Sequence, residues 1–89
     1  MAETFQIEIA TPEKLVLNQA AEYAEIPGKD GYMGILPGHA ALLSELGEGE
    51  LSYTLSGKTE KLKITGGSVE VRDNHVRVLA DKVEQLTGG

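Results

Sequence analysis

Cysteine and tryptophan are absent from this 89-residue chain, phenylalanine occurs once and proline three times. Without cysteine there is no disulfide framework and no zinc site built on thiolates, and a reducing compartment is the expectation. His39 and His75 are the only imidazoles, which excludes a three-histidine metal site within one chain. No apolar run approaches the roughly 20 residues needed to cross a bilayer as a helix. Positive charge is scarce too. Eight Lys and Arg stand against 14 Asp and Glu, a formal charge of −6, which argues against electrostatic capture of nucleic acid or of an anionic membrane surface. Met1-Ala2-Glu3-Thr4 reads as neither a secretory signal nor a basic transit peptide. These totals predict one small, soluble, acidic, intracellular domain, with a core formed by burying roughly 60–70% of the unfolded surface.

What is present is alternation. Phe5, Ile7 and Ile9 share one face of a strand from Thr4 to Ala10, with Gln6 and Glu8 on the other. Thr11-Pro12-Glu13 interrupts it, Lys14 to Leu17 forms a second strand, and Asn18-Gln19 turns the chain. Ala21 to Ile26 has helical composition, but Pro27-Gly28 ends it too early for a stable helix, so a strand is predicted. Gly31 to Ile35 and Ala41 to Leu46 follow as strands. Leu51 to Thr65, turning at Ser56-Gly57, and Ser68 to Ala80, turning at Asp73-Asn74, read as hairpins, with a break at Gly66-Gly67. Short strands with turns at such spacing predict an all-β sandwich or barrel. Asp81 to Leu86 suits either a helical turn or a continuation of the last strand.

One segment stands apart. Four glycines and a proline fall between Gly28 and Gly38, giving a backbone of specified shape. Gly28-Lys29-Asp30-Gly31 lacks the glycine spacing, the Lys-Ser/Thr pair and the following helix of a phosphate loop, so a hairpin turn is expected instead. His39, at the corner after Pro37-Gly38, is expected to pack or hydrogen-bond; Ser44 is the nearest hydroxyl in sequence, and nothing marks it as an activated nucleophile. His75 belongs to a solvated turn. Glu48 and Glu50 flank Gly49 without calcium-loop spacing, and the other carboxylates mostly take the outward phase of a strand. The apolar Tyr32, Met33, Ile35 and Leu36 either enter the core or form a partner surface. No catalytic set, metal or cofactor is predicted.

The segment Asp30-Gly31-Tyr32-Met33-Gly34-Ile35-Leu36-Pro37-Gly38-His39-Ala40 closely resembles the signature of the epsilon subunit of F-type ATP synthases. Thr65-Gly66-Gly67-Ser68-Val69-Glu70-Val71 and Val76-Arg77-Val78-Leu79-Ala80-Asp81 match a second block in the same order. The likeness runs from about residue 4 to residue 81. It implies a ten-stranded β-sandwich of two five-stranded sheets over residues 1–81, with 82–89 a short flexible tail. It implies a non-catalytic rotor subunit of a proton- or sodium-translocating synthase, peripheral on the cytoplasmic face of the energy-transducing membrane and a monomer when isolated. By the resemblance, Pro27, Gly28, Lys29, Asp30, Gly31, Tyr32, Met33 and Gly34 face the c ring, while Thr11, His39, Ala40, Leu42 and Ser44 face the gamma subunit. Ala41 stands where the family carries proline, and the helical hairpin that follows the sandwich in most bacterial relatives has no counterpart, so neither inhibition nor ATP binding is inferred. A sandwich module that binds a peptide or sugar is the competing reading, and an enzyme the third.

Overall fold

The alternating segments become strands whose apolar phase is consistently buried. The computed structural model describes residues 3–86, and all its regular structure is β. The strands are β1 (Phe5–Ala10), β2 (Leu15–Ala21), β3 (Tyr23–Gly28), β4 (Gly31–Ile35), β5 (Leu42–Glu45), β6 (Glu48–Leu55), β7 (Lys58–Arg72) and β8 (His75–Gln85). Hydrogen bonds connect them in the order β2-β1-β8-β7-β6-β3-β4, with β5 attached to β7 outside that path. All neighbours are antiparallel except β1 and β8, which run parallel from Gln6 opposite His75 to Ala10 opposite Leu79.

The structure has eight strands where ten were expected, because Gly66-Gly67 bends the chain without ending the strand. Along one edge of β7, β6 pairs with Lys58–Thr65 and β5 with Ser68–Val71, while β8 pairs along the other edge on both sides of the bend. The buried phase changes at this point. Leu62 and Ile64 are buried before it and Val69 and Val71 after it; in β8, Val76, Val78 and Ala80 precede the half-buried Val83. The two-stranded ribbon thus changes the face it turns to the core, and so serves both layers of the sandwich. Gly66 and Gly67 have φ of 63° and 117°. A Cβ on Gly67 would run into the Leu79 carbonyl oxygen and lie 2.8 Å from the Ala80 Cα. Only glycine fits there.

The last strand also continues beyond residue 81, where the sandwich was expected to stop. Lys82 to Gln85 pairs with Leu62 to Thr65, and the Leu86 amide donates to the Lys61 carbonyl at 3.0 Å. Of the expected tail, residues 87–89 lie outside the described residues. Both predicted hairpin turns are present. Ser56-Gly57 and Asp73-Asn74 have positive φ at both central positions, the type I′ geometry that matches the twist of the flanking strands. The core between the layers is wholly hydrophobic among the described residues, with Ile7, Ile9, Ile26, Leu51, Leu62, Ile64 and Val78 at zero exposure.

Candidate partner-binding surfaces

The segment Pro27 to Gly34 is a hairpin clamped at its base. Gly28 and Gly31 pair across the β3–β4 turn, with Lys29 and Asp30 at its tip. Pro27 is fully buried; its carbonyl accepts the Gly47 amide at 2.9 Å, and the Lys29 amide donates to the Glu45 carbonyl at 3.0 Å. An isolated bridge joins Gly28 to Leu46. That bridge consists of these two hydrogen bonds, which hold the hairpin against the corner between β5 and β6. The Lys29 ammonium also meets the Glu45 carboxylate at 3.1 Å. Both side chains are well exposed, so that pair contributes at most about 1 kcal/mol. Asp30 makes no ion pair among the described residues.

The apolar residues of this segment divide between core and surface. Ile35 is buried and Met33 packs half-buried against the core, whereas Tyr32 and Leu36 are 56% and 59% exposed. Tyr32 is nonetheless held: the Glu50 amide donates to its hydroxyl at 2.9 Å, and that hydroxyl lies where a Cβ on Gly49 would stand. The flat surface of the hairpin has a second aromatic that the sequence did not flag. Tyr23 on β3 crosses over Gly34, its hydroxyl 3.0 Å from where a Cβ would be, and donates to the Glu25 carboxylate at 3.1 Å. That bond to the carboxylate, more than desolvation, raises the Tyr23 pKa. Gly34 leaves the space that Tyr23 takes, as Gly49 does for Tyr32.

The second predicted set is less compact. The Thr11 hydroxyl accepts the Glu13 and Lys14 amides, each at 3.3 Å, and closes the β1–β2 turn. His39, Ala40, Leu42 and Ser44 lie on the corner after β4 and on β5, and three strand spacings separate β5 from β1, about 14 Å. Thr11 therefore belongs to the far end of the layer. The His39 amide donates to the Leu36 carbonyl at 3.1 Å, and its Nδ1–H donates to the Ala40 carbonyl at 2.7 Å, leaving Nε2 for a partner. The Ser44 hydroxyl donates to the Glu45 carbonyl at 3.4 Å, not to His39. Leu42 and Ser44 are half-buried on the inward phase of β5, and Leu42 packs on the core. Between them Leu43 points out and is 75% exposed. The same outer face carries Leu79 and Leu15, 50% and 54% exposed, in a row that crosses β8, β1 and β2. Alternation could have found Leu43, since its neighbours face inward; Leu15 and Leu79 needed the β1–β8 pairing.

Two side chains of the β7–β8 turn bind more than expected. His75 is half-buried, with Nε2 3.2 Å from a Glu8 carboxylate oxygen that also lies 3.5 Å from Arg77. Asn74 accepts the Gly38 amide at 2.8 Å and donates to the Thr4 carbonyl at 2.8 Å. No group of three His, Cys, Asp or Glu able to hold a metal occurs among the described residues.

The family model for the ATP synthase delta/epsilon chain β-sandwich domain matches residues 4–86. The chain is 53% identical over 85 residues to the ATP synthase epsilon chain of Koribacter versatilis, covering 96% of this chain and 60% of that one. It is 48% identical over 84 residues to that of Desulfitobacterium hafniense, covering 94% and 64%. It thus spans less than two thirds of the length of these relatives. Among solved structures, a chain of the Euglena gracilis mitochondrial ATP synthase (OSCP, F1 and c ring) superposes with a TM-score of 0.86 at 24% identity, over 92% of this chain and 53% of that one. A chain of the Tetrahymena thermophila mitochondrial ATP synthase central stalk and c ring gives 0.76 at 22% identity, over 93% and 67%. These two likenesses establish the sandwich fold, and the family match over nearly every described residue establishes descent: the chain belongs to the ATP synthase delta/epsilon family and is its β-sandwich domain.

Proposed function

We propose that this chain is a non-catalytic rotor element that joins the gamma subunit to the c ring of a proton- or sodium-translocating F-type ATP synthase. It would sit peripherally on the cytoplasmic face of the membrane and transmit torque without chemistry of its own. The hairpin of residues 27–34 meets the c ring. The corner at His39 and Ala40, the outward Leu43 and the turn at Thr11 meet gamma. Leu42 and Ser44 support this surface from beneath.

The observation that carries the proposal is the position of β5. Its first residue follows the His39 corner, and Glu45 at its end bonds through backbone and side chain to Lys29 in the hairpin. The two contact regions are therefore joined by a strand of four residues, about 10 Å long, hydrogen-bonded along β7. A short paired strand resists shear better than a loop, and this is the requirement for coupling two rotor parts. The five-plus-five division of the sandwich fits the same picture. If β7 and β8 are each counted twice at their bend, β5, β1 and β2 share one layer with their distal and proximal halves, while β3, β4 and β6 share the other.

The test is direct binding of the purified chain to gamma. Micromolar or tighter association is expected, with His39→Glu and Leu43→Glu each weakening it about tenfold or more. Full affinity in both variants would remove gamma from this face.

A further inference from the structure

The corner of residues 36–41 is the part of the gamma surface with the least strand structure, yet its shape is specified. Its internal bonds run from the His39 amide to the Leu36 carbonyl and from His39 Nδ1 to the Ala40 carbonyl, and Gly38 has a φ of 80°. Among the described residues, one hydrogen bond ties it to another element: the Gly38 amide donates to Asn74 Oδ1 at 2.8 Å. Asn74 is fixed in turn. It occupies the second position of the β7–β8 turn at a φ of 63°, its backbone carbonyl accepts the Gln6 amide at 3.0 Å, and its Nδ2 donates to the Thr4 carbonyl at 2.8 Å. Asparagine tolerates the left-handed conformation and presents an acceptor and a donor from one planar group. Aspartate would keep the acceptor; glycine would keep only the backbone.

We propose that Asn74 is the positioning residue for the Pro37–Ala40 corner, holding His39 in the orientation that gamma recognises through its bond to the Gly38 amide. This rests on the assignment of that corner to gamma. Asn74 itself makes no contact with gamma in this scheme. It preorganises a contact surface, and a loop that must be ordered on binding loses affinity in proportion to the order it lacks beforehand. A turn at one end of the β7–β8 ribbon thereby sets the geometry of the loop leading into β5.

The experiment compares Asn74→Gly and Asn74→Asp in the whole chain by three readouts: amide exchange at Gly38, affinity for purified gamma, and affinity for the c ring. In Asn74→Gly, exchange at Gly38 should quicken and gamma affinity should fall, each by about tenfold. Affinity for the c ring should hold, with the melting temperature lowered by no more than about 4–8 °C for the two lost side-chain bonds. Asn74→Asp should restore Gly38 protection and bring gamma affinity to within about threefold of the parent. Unchanged Gly38 exchange in Asn74→Gly overturns the proposal. So does a parallel loss of gamma and c-ring affinity with a larger drop in melting temperature, or failure of aspartate to rescue. His39→Glu in the parent chain separates the two claims. If it leaves gamma affinity intact while Asn74→Gly still frees Gly38, the gamma assignment falls and the hold of Asn74 on the corner stands.

Discussion

Replacing Gly67 with alanine tests whether the bend in β7 is a steric necessity. Two costs fall on the new methyl group. One is conformational, since φ of 117° lies where side-chain-bearing residues are strained, worth about 1–3 kcal/mol. The other is collision with backbone: the Leu79 carbonyl oxygen and the Ala80 Cα at 2.8 Å both belong to β8 and cannot swing aside. Overpacking of this kind adds about 1–3 kcal/mol. Together they give about 2–6 kcal/mol, against a total of roughly 5–13 kcal/mol for a domain of this length. Gly57 supplies the control. Its φ of 77° also favours glycine, but nothing lies within 4 Å of an added Cβ, so Gly57→Ala should cost only about 1 kcal/mol. Urea titrations followed by far-UV circular dichroism measure both. Equal losses in the two variants, or less than about 1 kcal/mol at Gly67, would refute the steric account of the bend.

Leu42 and Leu43 are adjacent but should behave oppositely. Leu42→Ala removes a side chain packed on the core and should lower stability by about 1–3 kcal/mol, whereas Leu43→Ala should leave the urea midpoint unchanged and weaken gamma binding. Tyr53 is 5% exposed, and burial, then the neighbouring Glu60, raises its pKa above 10.0. Its unfolded-state phenol ionises first as pH rises, so its contribution is fully present below about pH 10 and is lost as pH climbs towards the folded value. Stability measured between pH 8 and 11 should fall at the upper end, and Tyr53→Phe should flatten part of that fall; an unaltered profile would contradict it. Tyr32→Phe leaves the Glu50 amide without its phenol acceptor and should cost about 0.5–1.5 kcal/mol, read as a lowered urea midpoint with the ring contact of the hairpin loosened.

Local pattern made much of the fold legible. Phe5, Ile7 and Ile9, and later Leu62 and Ile64, bury as their alternation predicts, and Ser56-Gly57 and Asp73-Asn74 turn as their types predict. Gly66-Gly67 was misleading for a physical reason: positive φ ends most strands, but here the β8 ladder continues on both sides of it. The parallel pairing of β1 with β8 joins residues almost 70 positions apart, and no local signal carries it. At the candidate surfaces, glycine placement marked the hairpin and the His39 corner, while the parity of β5 turns Leu43 outward and Leu42 and Ser44 inward. The roles of Tyr23 over Gly34 and of the Asn74 side chain depend on contacts between distant segments, so they became visible only in three dimensions.

Bridging is the central claim, and a capture assay measures it. Gamma immobilised on a surface should retain detergent-solubilised c ring when this chain is added, and retain little without it. Asp30→Lys at the hairpin tip should abolish ring retention while the chain stays bound to gamma, and Leu43→Glu should release chain and ring together. Ring retention that is the same with and without the chain, or that survives both substitutions, would contradict the account.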